Sequence, residues 1–454
     1  MSDEQPDAVE EATGHTIQDA DIERDQIAAG HWFINRVAEY RGTATPETIR
    51  NFANSYGDDN PLWCDPAYGR TTRWGGQVAP NIMAYVLNEP LLGDIPAKEL
   101  RGGSYRGIHS FVSGGTWEWF RPVRPGDTLH SFEGVHSVEV KKSEFAGRTV
   151  IRRLRTVKFN QHGEVIGIHH NLVINAERGS ARKKGKEQSS PDDDWNGWTE
   201  EALEELDALY REEDVGRCGR EPRWFDDVKE GETLPRRAKG PLRTTDIIAF
   251  HAGGYGFTPF GLWQAKLDWR NRERIPAFYV PNELGVPDVA QRVHWDPEWA
   301  QAIGAKGSYD YGALRECWLH HYVTDWMGDD AIILRQHDEL RAFNYHGDAQ
   351  FVEGEVIDKR VEDGHHLVDL QVTMTNQRGI QALRGEVTVA LPSRDGALPL
   401  YPPAPTEEQQ LAAGFLARHA ELLRSGEEPR TITVEQPPKA DLAGKIADVS
   451  GDGE

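Results

Sequence analysis

The chain has 454 residues, which is long for one hydrophobic core and sufficient for two domains. Hydrophobic residues make up 38%, and no apolar run approaches the roughly 20 residues that a membrane helix requires, so we expect a soluble protein. The formal charge of -23 argues against nucleic acid as a general partner. Three widely spaced cysteines and an acidic N-terminus unlike a signal peptide favour the cytoplasm.

The first structured unit is predicted at residues 26–175, after an acidic leader (residues 1–25) that we expect to be disordered. Its first helix has Thr45 as N-cap and Pro46 at the first helical position, and it ends at Gly57. The sequence DDNP then forces a turn, and NIMAYVLNEPLL predicts a short helix. The remainder, up to residue 174, alternates like antiparallel strands.

The rest of the chain divides into three parts by composition. Residues 176–219 are charged and aperiodic at first, with the cluster RKKGK, and then predict a charged helix (EEALEELDALYREE), so we interpret them as a linker. A second unit is predicted at 220–395, with the central helix ALRECWLHHYVTDW and three strands. Residues 396–454 predict one helix, QQLAAGFLARHAELLR, and a disordered tail.

The two units repeat one order of elements: helix, loop, helix and strands. Three pairs of positions match in the same order, Phe52 with Phe250, Asp65 with Asp296, and Asp127 with Asp348. The second unit also contains an aromatic and proline-rich insertion, residues 257–289, which we expect to form an ordered cover. The repeat predicts an α+β fold in which two helix-wrapped antiparallel sheets join edge to edge.

Candidate chemistry lies in the second unit. His294, in the sequence HWDP, is a candidate acid/base group, and Gly312 stands at the start of the apolar central helix. Asp296 fits the role of a loop anchor. The pair His320-His321 lacks the accompanying acidic residue of a metal motif, so we expect no metal site there.

The segment GDDNPLWCDP, residues 57–66, resembles the signature of MaoC-like (R)-specific enoyl-CoA hydratases. These are hotdog-fold proteins related to the dehydratase region of type I fatty-acid synthases. The resemblance covers roughly residues 30–175 and 220–392, and it implies a double hotdog with hydratase or dehydratase activity on an acyl-CoA thioester. It implies no cofactor.

In that family an aspartate and a histidine together orient and deprotonate water, and a helix N-terminal N–H stabilises the enolate. The first unit keeps Asp58 and Asn60 but has Trp63 at the histidine position, and indole cannot accept a proton. The resemblance therefore implies that the first unit binds substrate. The second unit keeps His294 as the base and Gly312 as the N–H donor.

No acid stands in register in the second unit, because the aspartate position falls on Gly256 or Val289. Asp288 is the first substitute as the catalytic partner of His294, and Asp310 is the second. The predicted substrate-binding residues are Asp58, Asn60, Arg73, Arg292 and Tyr311, with Arg70 and Arg315 as further candidates for the phosphates of CoA.

Two other functions remain open. The chain could be a non-catalytic acyl-CoA-binding or partner subunit of a hetero-oligomeric hydratase, because Trp63 replaces a histidine and the second motif is split. A hotdog thioesterase is a weaker alternative, because the loop around His294 matches the hydratases better. The predicted partners are an acyl-CoA thioester and a second copy of the chain or another hotdog subunit.

Overall fold

The computed structural model describes residues 16–105, 108–143, 147–177, 197–256, 262–396 and 398–433. The elements up to residue 176 are α1 (Asp19–Ala28), β1 (Phe33–Ile34), α2 (Pro46–Ser55), α3 (Pro61–Cys64), α4 (Pro66–Gly69), 3-10 helices at Asn81–Val86 and Lys98–Arg101 flanking β2 (Ile95–Pro96), β3 (His109–Trp119), β4 (Leu129–Ser143), β5 (Gly147–Asn160) and β6 (Val165–Ala176).

The later elements form a matching series. They are α5 (Glu200–Gly216), a 3-10 helix (Phe225–Asp227), β7 (Thr233–Lys239), α6 (Thr244–Ala252), α7 (Lys266–Arg274), a 3-10 helix (Pro276–Phe278), β8 (Tyr279–Pro281), β9 (Pro287–Val289), a 3-10 helix (Ala290–His294), α8 (Pro297–Ala302), α9 (Gly312–Met327), β10 (Ile332–Leu340), β11 (Gln350–Glu362), β12 (His365–Asn376), β13 (Gln381–Ala390), α10 (Thr406–Ser425) and β14 (Thr431–Ile432).

Ten strands form one continuous sheet in the order β1-β4-β5-β6-β3-β10-β13-β12-β11-β7. Each unit contributes five neighbouring strands, and the two sets meet where β3 pairs antiparallel with β10, with Arg335 opposite Glu118 and Glu339 opposite Gly114. The prediction of two antiparallel sheets joined edge to edge is confirmed. The joint covers one strand edge of each unit, which would otherwise leave backbone donors and acceptors unpaired.

The two units differ in the helix that the sheet encloses. In the second unit α9 is buried along its whole length from Ala313 to Met327. In the first unit the predicted helix is only the 3-10 turn Asn81–Val86. The chain leaves the helix there because the N–H groups of Asn88 and Glu89 donate to the carbonyls of Arg41 and Leu129 instead of to a preceding turn. The double hotdog is therefore confirmed, with a long central helix in the second unit alone.

The predicted start of α2 is also confirmed, and its cause is local. Thr45 and Thr48 form a reciprocal capping box, with Thr48 N donating to Thr45 Oγ1 at 3.2 Å and Thr45 N donating to Thr48 Oγ1 at 2.7 Å. Ile49 and Phe52 of α2 are fully buried in a hydrophobic core to which both units contribute residues. Side-chain caps and apolar spacing are sequence-local signals, so this helix could be placed without tertiary information.

The prediction of a disordered leader is wrong for residues 19–25, which form most of α1. The buried face of α1 combines Asp21 and Asp25 with Ile22 and Ala28, so it lacks the continuous apolar periodicity that would predict a helix. Asp25 is fully buried, lies 2.8 Å from Arg152 Nε on β5, and accepts a hydrogen bond of 2.6 Å from the Tyr105 hydroxyl. Residues 1–15 of the predicted leader lie outside the described residues.

The predicted linker and tail also contain ordered parts. Leu206 of α5 packs against Ala238 and Ala349, so this helix belongs to the second unit. The predicted disordered tail is wrong up to residue 433, because β14 pairs in parallel with β2. Within the predicted insertion, residues 262–289 fold as α7 and the β8–β9 hairpin. Residues 178–196, 257–261 and 434–454 lie outside the described residues.

Candidate active site

His294 ends the 3-10 helix that follows the insertion. Its Nδ1 lies 2.8 Å from the carbonyl oxygen of Tyr309, and a carbonyl can only accept, so Nδ1 carries the hydrogen. The other ring nitrogen, Nε2, is therefore left with an unprotonated lone pair. Burial lowers the pKa of His294 to about 3, so the imidazole is neutral at neutral pH.

The ring of Tyr311 packs against this imidazole, with 3.8 Å between the two ring centroids. Its hydroxyl accepts a hydrogen bond of 2.5 Å from Gln291 Nε2 and lies 2.9 Å from His251 Nε2. Burial raises the pKa of Tyr311 and lowers that of His251 to about 4, so both groups stay neutral. The predicted substrate residue Tyr311 is thus beside His294, whereas His251 and Gln291 were not predicted.

Helix α9 begins at Gly312, directly after Tyr311. Tyr311 is the N-cap residue and provides no side-chain cap, so the first N–H groups of α9 have no intrahelical acceptor and point outward from its positive end. A Cβ at position 312 would lie 2.5 Å from Leu340 Cδ1, so the glycine also permits close packing. Gly312 therefore stands where the predicted N–H donor should stand, and that role remains a prediction.

Asp288, the predicted partner of His294, points elsewhere. It lies in β9, where its Oδ1 accepts a hydrogen bond of 2.7 Å from the N–H of Val289. Within the described part of the chain, no carboxylate forms an ion pair with His294. The pairing of Asp288 with His294 is therefore wrong. The insertion turns this segment into a hairpin strand instead of a loop that reaches the imidazole.

Asp310, the second substitute, braces the start of α9. Its Oδ2 accepts a hydrogen bond of 2.9 Å from Asn344 Nδ2 and lies 3.1 Å from Arg315 Nε. Burial raises the pKa of Asp310 to about 6. Both contacts hold Oδ2, whereas Oδ1 has no hydrogen-bond partner among the described residues, so the role of Asp310 remains a prediction.

Glu316, which sequence reasoning missed, lies one turn along α9 from Gly312 and is fully buried. A helical side chain leans toward the N-terminus of its helix, so this carboxyl group lies over the turn that starts at Gly312. Oε2 accepts a hydrogen bond of 2.8 Å from the Tyr85 hydroxyl. Oε1 has no hydrogen-bond partner among the described residues. An acidic residue in the middle of a buried helix was the signal in the sequence.

Burial raises the pKa of Glu316 to about 7. Asp338 of β10 titrates together with it, and burial and then the charge of Glu316 raise the pKa of Asp338. Two buried carboxyl groups this close cannot both ionise at low cost, so the pair holds a proton near neutral pH. Glu316, like Asp310, is therefore a described carboxyl group near the start of α9 whose pKa suits proton transfer near neutral pH.

The arginines predicted to bind phosphates are largely committed to the protein. The guanidinium of Arg292 is buried, pairs with Asp296 at 3.0 Å, and donates to the carbonyls of Val280, Asp288 and Pro281. Arg315 donates to two backbone carbonyls besides its pairing with Asp310. Arg73 donates to the carbonyl of Pro399 at 2.8 Å. We therefore withdraw Arg292 and Arg315 as phosphate ligands.

In the first unit, Asp58 and Asn60 of the signature are buried and hydrogen-bonded. Asp58 is fully buried, and its Oδ2 accepts hydrogen bonds from Trp63 Nε1 at 3.0 Å and Tyr56 Oη at 3.3 Å. Asn60 is 2% exposed and accepts a hydrogen bond of 2.9 Å from the N–H of Leu62, which caps α3. Asp58 and Asn60 therefore have side-chain oxygens engaged within the protein, and their contact with substrate remains a prediction.

A second buried cluster lies where α5, β7 and α9 meet. Glu213, His321 and Asp325 could together offer three ligand atoms to a metal ion. The ammonium of Lys239 already lies between them, 2.6 Å from Glu213 Oε1 and 3.0 Å from His321 Nδ1. The cluster is therefore better described as a buried ion network. His320 and His321 are 2% and 1% exposed, so both are core residues.

Three comparisons bear on the family. Residues 28–168 match the family model "FAS1-like, dehydratase domain region". A "UPF0336 protein" from Streptomyces avermitilis is 27% identical over 106 residues, which are 23% of this chain and 66% of that relative. A solved structure called "MaoC-like dehydratase" is 16% identical, with a TM-score of 0.51, and the match covers 81% of this chain and 99% of that one. A putative MaoC domain dehydratase from Chloroflexus aurantiacus is 12% identical, with a TM-score of 0.47, over 81% of this chain and 96% of that one.

Residues 28–168 are similar to the dehydratase region of the family model, and the chain shares its fold with a MaoC-like dehydratase. The family model matches the first unit, and the structural likeness extends the shared fold over both units. The matched region is just under two thirds of the Streptomyces relative. None of the helices in the described ranges combines the length and apolarity needed to cross a membrane.

Proposed function

We propose that this MaoC-like relative adds water to, or removes water from, the 2,3 double bond of an enoyl-CoA thioester. The observation that carries the proposal is the convergence of two groups on Tyr311. His294, whose ring contacts that of Tyr311 at a tilt of 37°, has a free Nε2 lone pair, and the uncapped N-terminus of α9 directly follows Tyr311 in the chain. A hydrogen-bond acceptor for water beside an N–H donor for an oxyanion is what conjugate addition to a thioester requires.

In this proposal the N–H of Gly312 donates to the thioester oxygen. Addition of a nucleophile at the β-carbon moves negative charge onto that oxygen as the enolate forms. The positive end of α9 stabilises this charge, since its N–H groups are fixed before the reaction and need no reorientation. A Cβ at position 312 would lie 2.5 Å from Leu340 Cδ1, so an alanine there would require Leu340 or the start of α9 to shift.

In this proposal His294 Nε2 accepts a hydrogen bond from the water, and Glu316, whose Oε1 has no hydrogen-bond partner among the described residues, serves as the base. His294 has a pKa of about 3, so it is a weak proton acceptor and acts mainly by orienting the water. Glu316, with a pKa of about 7, takes the proton as the water oxygen bonds to the β-carbon. The same proton then passes from Glu316 to the α-carbon as the enolate collapses. Dehydration follows these steps in reverse.

The test is a panel of 2-enoyl-CoA esters assayed by the loss of ultraviolet absorbance of the conjugated thioester. We expect turnover by the wild type and a fall of about 10²- to 10⁴-fold in kcat for His294→Ala and for Glu316→Gln, because each removes a group that handles the water. His162→Ala, in an exposed turn of the first unit, is the matched control and should keep full activity. Unchanged turnover in folded His294→Ala would refute the role of His294.

The pH dependence separates Glu316 from His294. Because hydration needs the Glu316 carboxylate, kcat/KM should rise as the pH increases through about 7 in the wild type. Glu316→Gln should lose this limb, and His294→Ala should keep it at a lower rate. Proton transfer by Glu316 would be contradicted if kcat/KM of the wild type stayed constant from roughly one pH unit below this pKa to roughly one unit above it.

A second function is favoured by one observation, the absence of an ion pair between His294 and a carboxylate in the described residues. Without such a partner the chain could bind an acyl-CoA and leave the reaction to another hotdog subunit. That function predicts binding of a CoA ester with no turnover until the other subunit is added. Release of free thiol from a saturated acyl-CoA would instead indicate the thioesterase alternative.

A further inference from the structure

The nucleotide end of CoA carries phosphate groups that need cationic partners, and the predicted partners in the interior are already engaged. The guanidinium of Arg292 donates to three backbone carbonyls and pairs with Asp296. Arg315 lies in the core with Asp310. A protein with a formal charge of -23 repels a polyphosphate unless a local cationic surface is present. The site proposed above therefore requires cations elsewhere in the second unit.

Helix α7, within the insertion, presents such a surface. Lys266, Arg270 and Arg274 are exposed and spaced four residues apart, so they form one stripe along the helix. Lys266 and Arg270 form no ion pair among the residues that the structure describes. Arg274 donates one hydrogen bond, of 2.6 Å, to Asn271 Oδ1 and retains its other donors. A planar guanidinium suits phosphate oxygens because it can donate two parallel hydrogen bonds.

An exposed indole lies beside the stripe. Trp269 is 49% exposed. It lies three residues from Lys266, so the two side chains are adjacent on the helix surface. Trp263 just before the helix is 38% exposed. Large apolar side chains are rarely left open to water in a group, and stacking of a base on an aromatic ring is a common use for them. Phosphate and adenine partners thus stand on one helix.

The acidic residues of α7 leave the stripe accessible. Asp268 accepts a hydrogen bond of 2.9 Å from the Tyr279 hydroxyl and lies on the inner side of the helix. Glu273 is exposed and lies three residues from Arg270, so it reduces the positive charge of the stripe without covering it. The three cations outnumber this one exposed acid.

Helix α7 is also coupled to the candidate active site. The hydroxyl of Tyr279 in β8 holds the helix through Asp268 and accepts a hydrogen bond of 2.9 Å from Asn271 Nδ2. The carbonyls of β8 residues Val280 and Pro281 accept hydrogen bonds from Arg292, two residues before His294. A rigid series of contacts therefore connects the cationic helix to the turn that ends in His294. Arg292 therefore connects β8 to the turn that ends in His294.

We propose that α7 binds the 3′-phosphorylated adenosine diphosphate end of the CoA thioester, with Lys266, Arg270 and Arg274 holding phosphate oxygens and Trp269 stacking on the adenine. This inference rests on the proposed function for the identity of the ligand. The insertion then provides specificity for CoA, and the thioester is delivered to His294 through the pantetheine arm. No catalytic residue belongs to this surface.

Binding to coenzyme A itself, measured by isothermal titration calorimetry, is the first test. Relative to wild type, the triple variant Lys266→Gln, Arg270→Gln, Arg274→Gln should bind at least about tenfold more weakly, because charge-assisted hydrogen bonds are lost. Trp269→Ala should also weaken binding. Dephospho-coenzyme A lacks the 3′-phosphate, so it should bind the wild type more weakly than coenzyme A does. The triple variant should bind the two ligands with about equal affinity. Equal affinity of wild type and triple variant for coenzyme A would overturn the proposal.

A control of equal charge change comes from three exposed arginines on other helices, Arg50→Gln, Arg211→Gln and Arg424→Gln. This control variant should bind coenzyme A as the wild type does, apart from a small uniform loss of attraction. If it weakens binding as much as the α7 variant does, the effect is one of net charge and the proposal fails. The comparison is made at two salt concentrations, since screening removes long-range effects first.

Kinetics distinguish this inference from the proposed function. The α7 variants should raise KM for an enoyl-CoA with little change in kcat, and should leave turnover of the N-acetylcysteamine thioester, which has no nucleotide, unchanged. If the wild type hydrates enoyl-CoA but α7 variants keep its KM, the inference alone fails. If the wild type has no turnover but coenzyme A binding depends on α7, the hydratase proposal alone fails.

Discussion

Trp63 shows how one side chain can convert a reactive motif into a structural one. It stands at the position of the family's histidine, and its indole N–H donates to the buried Asp58 carboxyl group at 3.0 Å. The N–H of Asn60 donates to the same carboxyl group at 2.9 Å. Asp58 and Asn60 therefore support the geometry of this turn, as their hydrogen bonds show. Their contact with substrate, which the resemblance implies, remains a prediction.

Replacing Trp63 by Phe removes the indole donor and nearly preserves the apolar volume. The buried Asp58 Oδ2 would keep only its contact with Tyr56, so we expect the free energy of unfolding to fall by about 1–3 kcal/mol. Urea denaturation measures this change. Trp269→Phe, at an exposed indole on α7, is the matched control and should be close to neutral. Equal effects of the two variants would show that the Trp63 hydrogen bond contributes little.

At the scale of elements, α5 is the clearest case of a segment whose role depends on its partners. Its sequence is charged and was interpreted as part of a linker. In the structure Glu213 of α5 is buried and pairs with Lys239 of β7 at 2.6 Å, and Lys239 also reaches His321 of α9. The helix thereby closes over the end of the second unit. A charged helix can pack against a core when its buried charges are paired.

Lys239→Met tests this ion network. The substitution leaves the Glu213 carboxylate buried without its cation, so we expect a loss of about 3–5 kcal/mol in the free energy of unfolding. Arg236→Met, on the same strand, removes an ion pair with Glu353 in which both side chains are more than half exposed, and it should cost no more than about 1 kcal/mol. Differential scanning calorimetry of both variants would check the difference. Similar losses would mean that the network is not stabilising.

At the scale of the whole molecule, the joint between β3 and β10 makes one sheet of two units. Gly114 at this joint has φ +126, and a Cβ there would lie 2.1 Å from the carbonyl oxygen of Asp338. The strands can approach only because residue 114 has no side chain. The two units also meet at Glu316 of the second unit, which accepts a hydrogen bond of 2.8 Å from Tyr85 of the first.

Gly114→Ala should therefore weaken the joint. We compare it with Gly126→Ala, at φ +97, where an added Cβ has no neighbour within 4 Å. Both variants place an alanine at a positive φ, which destabilises each of them. The additional clash should lower the free energy of unfolding of Gly114→Ala by about a further 1–3 kcal/mol. Urea denaturation monitored by tryptophan fluorescence measures the difference. Indistinguishable midpoints would show that the strands separate without cost.

The sequence by itself determined the local and repeating features. Capping residues and apolar spacing placed α2 and α9, alternation placed the strands, and the repeat predicted two sheets joined at their edges. His294 and Gly312 were also identified, because short motifs and helix starts are written in neighbouring residues. These signals act over a few residues, so no tertiary information was needed to recognise them.

Only the tertiary structure decided which groups meet. Tyr85 and Glu316 are hydrogen-bonded although 231 residues apart, and no local pattern predicts that contact. Asp288 seemed suitable because it is near His294 in sequence, yet a hairpin turns it away. Arg292 seemed free to bind phosphate, yet backbone carbonyls of β8 surround it. Proximity along the chain does not set proximity in space, and burial in the folded core raises the pKa of Glu316 to about 7.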